Sequence, residues 1–448
     1  MELAIKIFQF ILSISILVIL HELGHFLPAK WFKTKVEKFY LFFDPWFSIA
    51  KKKIGDTEYG IGWLPFGGYV KIAGMVDESM DTEQLKQPAQ PWEFRAKPAW
   101  QRLIIMMGGV TVNFFLAWII YGCLSFFNGE TSFDTAKVNA PMNYTNVAKG
   151  MGFQDGDKIL KVDGKTQNNL DKLALDVLLS DEVTVLRNGK KITFPTNDEG
   201  KAMAFRDENP KAFLTPRFPA VIDTIENAKT AQAGLKIGDR VVSVNNQKIN
   251  YYDELQAIII KNAGKNLNVE VVRAGAVQPL VLPVSKEGKL GISSYKQMAN
   301  YYETKHFTFG QSIGRGFTRS IESLTYQVKQ FKLIFNKKVQ GYKKVGGPLA
   351  IIKNMPVDKS RDGNVSIDWT AFWSFTAMFS VWLAFLNLIP IPGLDGGHVI
   401  FTLYEMIVGK PVPQKVLENA QMVGVIFLLG LMLLIFGSDI FKIITNKF

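Results

Sequence analysis

Apolar and polar positions divide this chain into two populations. Four stretches, Ile7–Ala29, Leu103–Phe127, Trp369–Ile389 and Ala420–Phe436, are almost free of charged residues. Each approaches the ~20 residues that cross a hydrocarbon core, the last lying near the lower limit of ~17. Between the second and third runs a long polar region of ordinary soluble composition. The pattern predicts an α-helical integral membrane protein with four transmembrane helices and one long extramembrane insert. Spans are expected within 1–29, 102–127, 369–408 and 418–441, with a first loop at 30–101. The first span is not expected to be a signal peptide, because no small-x-small cleavage site follows it.

The insert repeats itself. Gly152-Phe153-Gln154-Asp155-Gly156-Asp157-Lys158-Ile159-Leu160-Lys161-Val162-Asp163-Gly164 parallels Gly234-Leu235-Lys236-Ile237-Gly238-Asp239-Arg240-Val241-Val242-Ser243-Val244-Asn245-Asn246. Further on, Val183–Gly189 parallels Val269–Gly275. Each unit reads as a Gly-Asp turn, a buried strand, a helix and a second strand ending in a glycine turn. A period of roughly 80–90 residues is a domain duplication, since solenoid units are typically ~20–50 residues. The Gly-Leu-x-x-Gly-Asp-Arg-Val-Val-Ser-Val-Asn string resembles PDZ domains of bacterial proteases, which implies two α+β PDZ-like domains, at 128–205 and 206–300. Such domains bind peptides by strand addition in a groove. Ala220–Ile225, with Val221 and Ile222 at its centre, is the candidate groove strand of the second copy. The first copy has no clear run of this kind around Ala140-Pro141-Met142-Asn143. Beyond the repeats, Ile313, Phe317, Ile321, Leu324, Val328, Phe331 and Phe335 recur every three or four residues and predict an amphipathic helix within 305–345, on the membrane surface or against the repeats.

Charge sets the expected orientation. The net charge is +12. Lys30, Lys33, Lys35, Lys38 and Lys51–Lys53 follow the first span, and Lys410 and Lys415 follow the third. Lysine-rich short loops stay cytoplasmic, so the insert and both termini are expected outside. This charge suits loops beside anionic lipid; no basic patch interleaved with aromatic residues argues for nucleic acid as a partner. The single cysteine, Cys123, excludes a disulfide or cysteine metal site within one chain and is expected to be a buried core residue.

The candidate chemistry lies inside the first apolar stretch, at His21-Glu22-Leu23-Gly24-His25. Histidines four apart stand on one helix face and can meet one metal, and the glutamate between them is placed as a general base toward water. The chain has only four histidines, and ionisable residues at membrane depth are functional by default. A zinc hydrolase needs a third protein ligand. The third span ends Asn387-Leu388-Ile389-Pro390-Ile391-Pro392-Gly393-Leu394-Asp395-Gly396-Gly397-His398, where prolines and glycines must break the helix. Asp395 is the natural third ligand there, His398 is its competitor, and Asn387 is placed to donate to a developing oxyanion.

These two motifs resemble those of the site-2 protease family of intramembrane zinc metalloproteases. The order of span, loop, span, tandem PDZ-like domains and two more spans is similar to its bacterial regulator-of-sigma-E-protease type. Leu64-Pro65-Phe66-Gly67-Gly68-Tyr69-Val70-Lys71 is similar to that family's Pro-x-Gly-Gly-Tyr-Val-Lys string, making Gly67, Gly68 and Tyr69 candidate substrate contacts on a membrane-associated β-hairpin from Val36 to Val70. Where that family carries Gly-x-Gly, this chain reads Leu41-Phe42-Phe43-Asp44-Pro45. The resemblance implies one Zn2+ per chain and residence in the bacterial inner membrane. It implies single-pass transmembrane substrates of the anti-sigma-factor type or signal-peptide remnants, cut after an upstream protease has trimmed them. A metal transporter would need ligands along a path rather than one cluster. A non-catalytic PDZ receptor would be expected to lack Glu22 or a ligand.

Overall fold

The computed structural model describes residues 1–75, 87–133, 142–166, 170–206, 213–294, 302–344, 346–360 and 364–445. Ala140 and Pro141 lie outside them. Two compact units emerge, one of residues 1–129, 306–329 and 344–448, the other of 130–305 and 330–343.

The first unit is helical. Four of its helices are long and apolar enough to cross a membrane: α1 (Glu2–Trp31), α2 (Ala99–Phe127), α4 (Trp369–Leu388) and α6 (Gln414–Ile444). α3 (Phe309–Ile334) precedes α4, and α5 (Asp395–Val408) follows it. α1, α2 and α6 outrun their charge-free stretches because polar residues at their ends keep the helical hydrogen-bond ladder going beyond the apolar run. Asp368 caps α4 by accepting the Ala371 N–H at 2.9 Å. At Pro390 and Pro392 the ladder cannot continue, and the chain turns through Gly393 at φ +98° before re-entering a helix at Asp395.

Buried polar atoms tie these helices together. The Ser13 and Thr376 hydroxyls meet at 3.0 Å between α1 and α4, and Ser380 Oγ donates to the Asn113 carbonyl at 2.7 Å between α4 and α2. Such pairs are favourable where the alternative is an unsatisfied group among apolar neighbours. The ends sort into two sets. Asn128 after α2 donates to Thr370 at the start of α4, and Lys6 near the start of α1 donates to the Lys353 carbonyl. Asp439 near the end of α6 accepts from the Gly347, Leu349 and Ala350 amides. At the opposite end, Arg102 of α2 pairs with Glu405 of α5. The four long helices therefore alternate in direction, with the start of α1 and the end of α6 in one set.

α3 packs by its small and polar side. Ser312, Ser320 and Gln327 are buried, Gly316 abuts the α2 backbone at Trp118 and Gly122, and the Trp118 indole donates to the Ile313 carbonyl at 2.7 Å. Ile313, Phe317, Ile321 and Val328 of its apolar stripe are exposed. The stripe is thus only partly covered: Leu324 packs on the apolar cluster of α2 and α4, and Phe317 rests against Phe114 and Trp118. Cys123 is also exposed on α2, not buried as expected; a helix surrounded by hydrocarbon gains nothing by turning a small apolar side chain inward.

Between α1 and α2, β1 (Val36–Ile54) pairs with β2 (Thr57–Ile72) in an irregular sheet with several register shifts. Tyr40 stands opposite both Tyr69 and Gly60, so the long strands fold back on themselves. Phe42, in the segment that departs from Gly-x-Gly, holds φ +67°, a left-handed conformation that a bulky side chain occupies only under strain.

The second unit contains the duplication as two sheets of one plan. Lys158–Val162, Lys165–Thr166, Glu182–Arg187 and Lys190–Pro195 form the first, and Arg240–Val244, Gln247–Lys248, Asn266–Arg273 and Ala276–Pro283 the second, with the same strand order. The same ion pair recurs in both. Arg187 binds Asp157 and the Gly152 carbonyl; Arg273 binds Asp239 and the Gly234 carbonyl. Asp157 accepts the Gln154 amide, as Asp239 accepts that of Lys236. Burial opposes ionisation of Asp239, but Arg273 and the Lys236 amide outweigh it and hold the carboxyl below its usual range.

Candidate metal centre and active site

α1 carries His21 and His25 one turn apart, and their Nε2 atoms lie 3.3 Å from each other. The helix break brings Asp395 up to them, its Oδ2 lying 3.3 Å from His21 Nε2 and 3.3 Å from His25 Nε2. Three donor atoms thus form an equilateral triangle. Tetrahedral zinc with bonds of ~2.0–2.1 Å requires ligand atoms about 3.3–3.4 Å apart, so the triangle is the base of such a tetrahedron. Both imidazoles are buried, and Asp395 Oδ2 is buried with no hydrogen-bond partner. An orphan carboxylate oxygen facing two ring nitrogens is satisfied by a cation between them. Nitrogen, nitrogen and oxygen donors are a set that zinc hydrolases use. The residues present fit zinc.

The surroundings orient the donors. His25 Nδ1 lies 2.8 Å from the Ile105 carbonyl of α2, which can only accept. Nδ1 therefore carries the ring hydrogen and Nε2 is left bare, as metal ligation needs. α2 comes this close because α1 and α2 touch backbone to backbone. A Cβ built on Gly24 falls 2.5 Å from Gly108 O, and one built on Gly109 falls 2.5 Å from His21 Cε1 and 2.7 Å from its Nδ1.

A cavity of about 790 Å³ opens on this triangle. His21, Glu22, His25, Asn387 and Asp395 all line it, and so do Gly67, Gly68 and Tyr69 of β2. Glu22 lies beside the triangle and takes a hydrogen bond from the Val70 backbone. A Cβ on Gly68 would fall 2.6 Å from Val18 and 3.6 Å from Glu22 Cγ, so only a glycine lets β2 lie this close to α1. Asn387 Nδ2 is 3.1 Å from His21 Nε2. The Tyr69 hydroxyl donates to Asp44 Oδ1 at 2.9 Å; burial and that carboxylate push the phenol well above its usual range and keep it protonated. His398, on the first turn of α5, lines the cavity but is not one of the three converging donors.

Of the two groove-strand candidates, Val221 is half-buried and Ile222 faces inward. The Ile222 side chain is in the core of its domain, its N–H donates to the Asp239 carbonyl, and its carbonyl accepts from Gly238. The edge on which the Ile222 backbone lies is therefore taken up within its own domain. An apolar run beside a Gly-Asp turn describes a core strand as well as a groove strand.

Three residues at this site carry no expectation from sequence: Asn113, Gly109 and Gln421. Asn113 is fully buried, with its amide 3.2 Å from His21 Nδ1. Gln421 of α6 accepts the Gly393 N–H at 3.1 Å and so braces the loop that carries Asp395. The sequence signal is the lone amide inside an otherwise apolar stretch, and for Asn113 a Gly-Gly pair one turn before it.

The description "Peptidase family M50" matches residues 9–431. The chain belongs to this family. It is 28% identical to a protein of Vibrio cholerae named as a candidate zinc metalloprotease, over 96% of this chain and 97% of that one. It is 27% identical to the regulator of sigma-E protease RseP of Escherichia coli K12, over 96% and 97%, and 26% identical to the regulator of sigma E protease of Haemophilus influenzae, over 97% and 98%. The M50 chain described here is a zinc metalloprotease and, with its four apolar helices, a multi-pass membrane protein.

Proposed function

We propose that this protein is an intramembrane endopeptidase that cuts transmembrane segments of single-pass membrane proteins, with His21, His25 and Asp395 as its zinc ligands. The observation that carries the reading is the 3.3 Å donor triangle set in an apolar helix bundle and open to a cavity bordered by a β-strand. Held by these three residues, zinc would supply activation of a water and polarisation of the scissile carbonyl. Glu22 takes the proton from that water and passes it to the leaving amine. Asn387 donates to the oxygen on which negative charge develops. A helical substrate shields its carbonyls in its own hydrogen bonds, so it must unwind first. Gly67, Gly68 and Tyr69 then offer backbone to the extended segment, as strand addition requires.

The substrates fitting this reading are anti-sigma-factor-like membrane proteins or signal-peptide remnants, already shortened by an upstream protease. The two repeats are PDZ-like domains on the outer side of the bacterial inner membrane, with both termini. The hairpin and the active site lie toward the cytoplasm. Lipid covers the exposed stripe of α3.

Two measurements test this. Purified protein in liposomes is expected to cleave a single-pass substrate with a Gly-Pro helix breaker at mid-span, faster than one with an unbroken helix. Chelation should stop cleavage and added zinc restore it. A zinc-loaded preparation that cuts only soluble peptides would reject the intramembrane reading. Separately, a compartment reporter at Lys52 is expected to register cytoplasm and one at Asn246 the outer side; the reverse at both would invert the orientation alone.

A further inference from the structure

We propose that Asn113 is a positioning residue for the metal: its side-chain oxygen accepts the Nδ1–H of His21 and holds that imidazole in the tautomer that turns a bare Nε2 toward the ion. This rests on the ligand set proposed above.

The two histidines are held differently. His25 has a backbone carbonyl at Nδ1, which fixes its tautomer without help from any side chain. Among the described residues no carbonyl stands at His21 Nδ1. Its Nδ1 meets the amide of Asn113, 3.2 Å away. For His21 Nε2 to act as a ligand it must be bare, so in a neutral ring the hydrogen sits on Nδ1. The group facing Nδ1 must then accept. Asn113 is 0% exposed, and its Oδ1 is buried without a partner while its Nδ2 lies toward His21. A half-turn about the last side-chain bond exchanges the two ends and puts Oδ1 opposite the Nδ1–H.

Asn113 is itself well fixed. Its backbone carbonyl accepts from Ser380 Oγ at 2.7 Å, so α4 helps set its depth. Gly109 lies four residues before it and therefore on the same face of α2. That face thus presents a gap for the two imidazoles and, one turn later, an amide for one of them. Partners of this kind around metal-bound histidines are worth ~10–100-fold in metal affinity.

The test uses purified full-length protein in detergent, with zinc affinity read by competition against a chromophoric chelator and folding read from melting of the zinc-free protein. Asn113→Leu keeps the volume and removes the acceptor. It is expected to weaken zinc by ~10–100-fold while the zinc-free protein melts like the unaltered one. Asn113→Asp keeps an acceptor at the same place and should retain the affinity or tighten it. His21→Ala should abolish tight binding. Unchanged affinity in Asn113→Leu, with His21→Ala defective, overturns the proposal and leaves the ligand set standing. Equal loss in Leu and Asp, with lowered melting of both, makes Asn113 a packing residue and also overturns it. Full affinity in His21→Ala overturns the ligand set and this proposal with it.

Discussion

Glu22→Gln is expected to leave zinc bound and to reduce turnover by more than the ~10²–10⁴-fold typical of losing a general base. Glutamine keeps the shape of the side chain and its hydrogen bond from the Val70 backbone, but cannot take a proton. Glu22 is not among the three converging donors, so metal content should stay at one zinc per chain. Asp395→Ala reverses the pattern. It removes the one oxygen donor of the triangle and leaves two buried imidazoles facing each other, so zinc itself should be lost. Asp395→Asn should fall between, because a neutral oxygen is a weaker zinc donor. His398→Ala should retain metal. Elemental analysis of the purified variants beside a cleavage assay separates these effects. Zinc lost from His398→Ala and kept in Asp395→Ala would reassign the third ligand. Zinc lost from Glu22→Gln would make Glu22 a ligand and not a base.

Gly109→Ala is expected to be nearly as damaging as loss of a ligand, although Gly109 carries no functional group. The added methyl would overlap His25 Nε2 and sit 2.5 Å from His21 Cε1, so ring atoms of both ligands would have to move. Neither ring can move far without opening the 3.3 Å triangle, and displacements near 1 Å are enough to ruin such a constellation. Zinc per chain should fall well below one while the helices still assemble. Gly108→Ala makes the informative contrast. Its methyl would meet the Gly24 carbonyl and not the imidazoles, so it should lower the melting temperature before it affects the metal. A Gly109→Ala protein that binds zinc with unaltered affinity would show that α2 yields there, and the close packing would then have no part in forming the site.

Much of this protein was legible in one dimension. The four spans follow from runs of apolar residues, because hydrocarbon imposes a length that needs no knowledge of neighbours. His21 and His25 are joined by helical periodicity alone. The break before Asp395 follows from Pro390, Pro392 and Gly393, which no helix accommodates in sequence. The duplicated plan of the insert is visible because the turn residues that enforce it recur with it.

Only the tertiary structure decided what meets across helices. Asp395 is 370 residues from His25 in sequence, and nothing local sets the 3.3 Å that now separates Oδ2 from Nε2. Gly109 and Asn113 look like ordinary members of an apolar run until α2 is laid against α1, when one supplies room and the other an amide. Cys123 was misjudged for a physical reason: next to lipid, apolar side chains face outward without cost, so the rule that sorts residues in water stops discriminating. At Val221 and Ile222 the sequence reports only the apolar face of a strand, whereas an open edge depends on which backbone groups a neighbour has already taken.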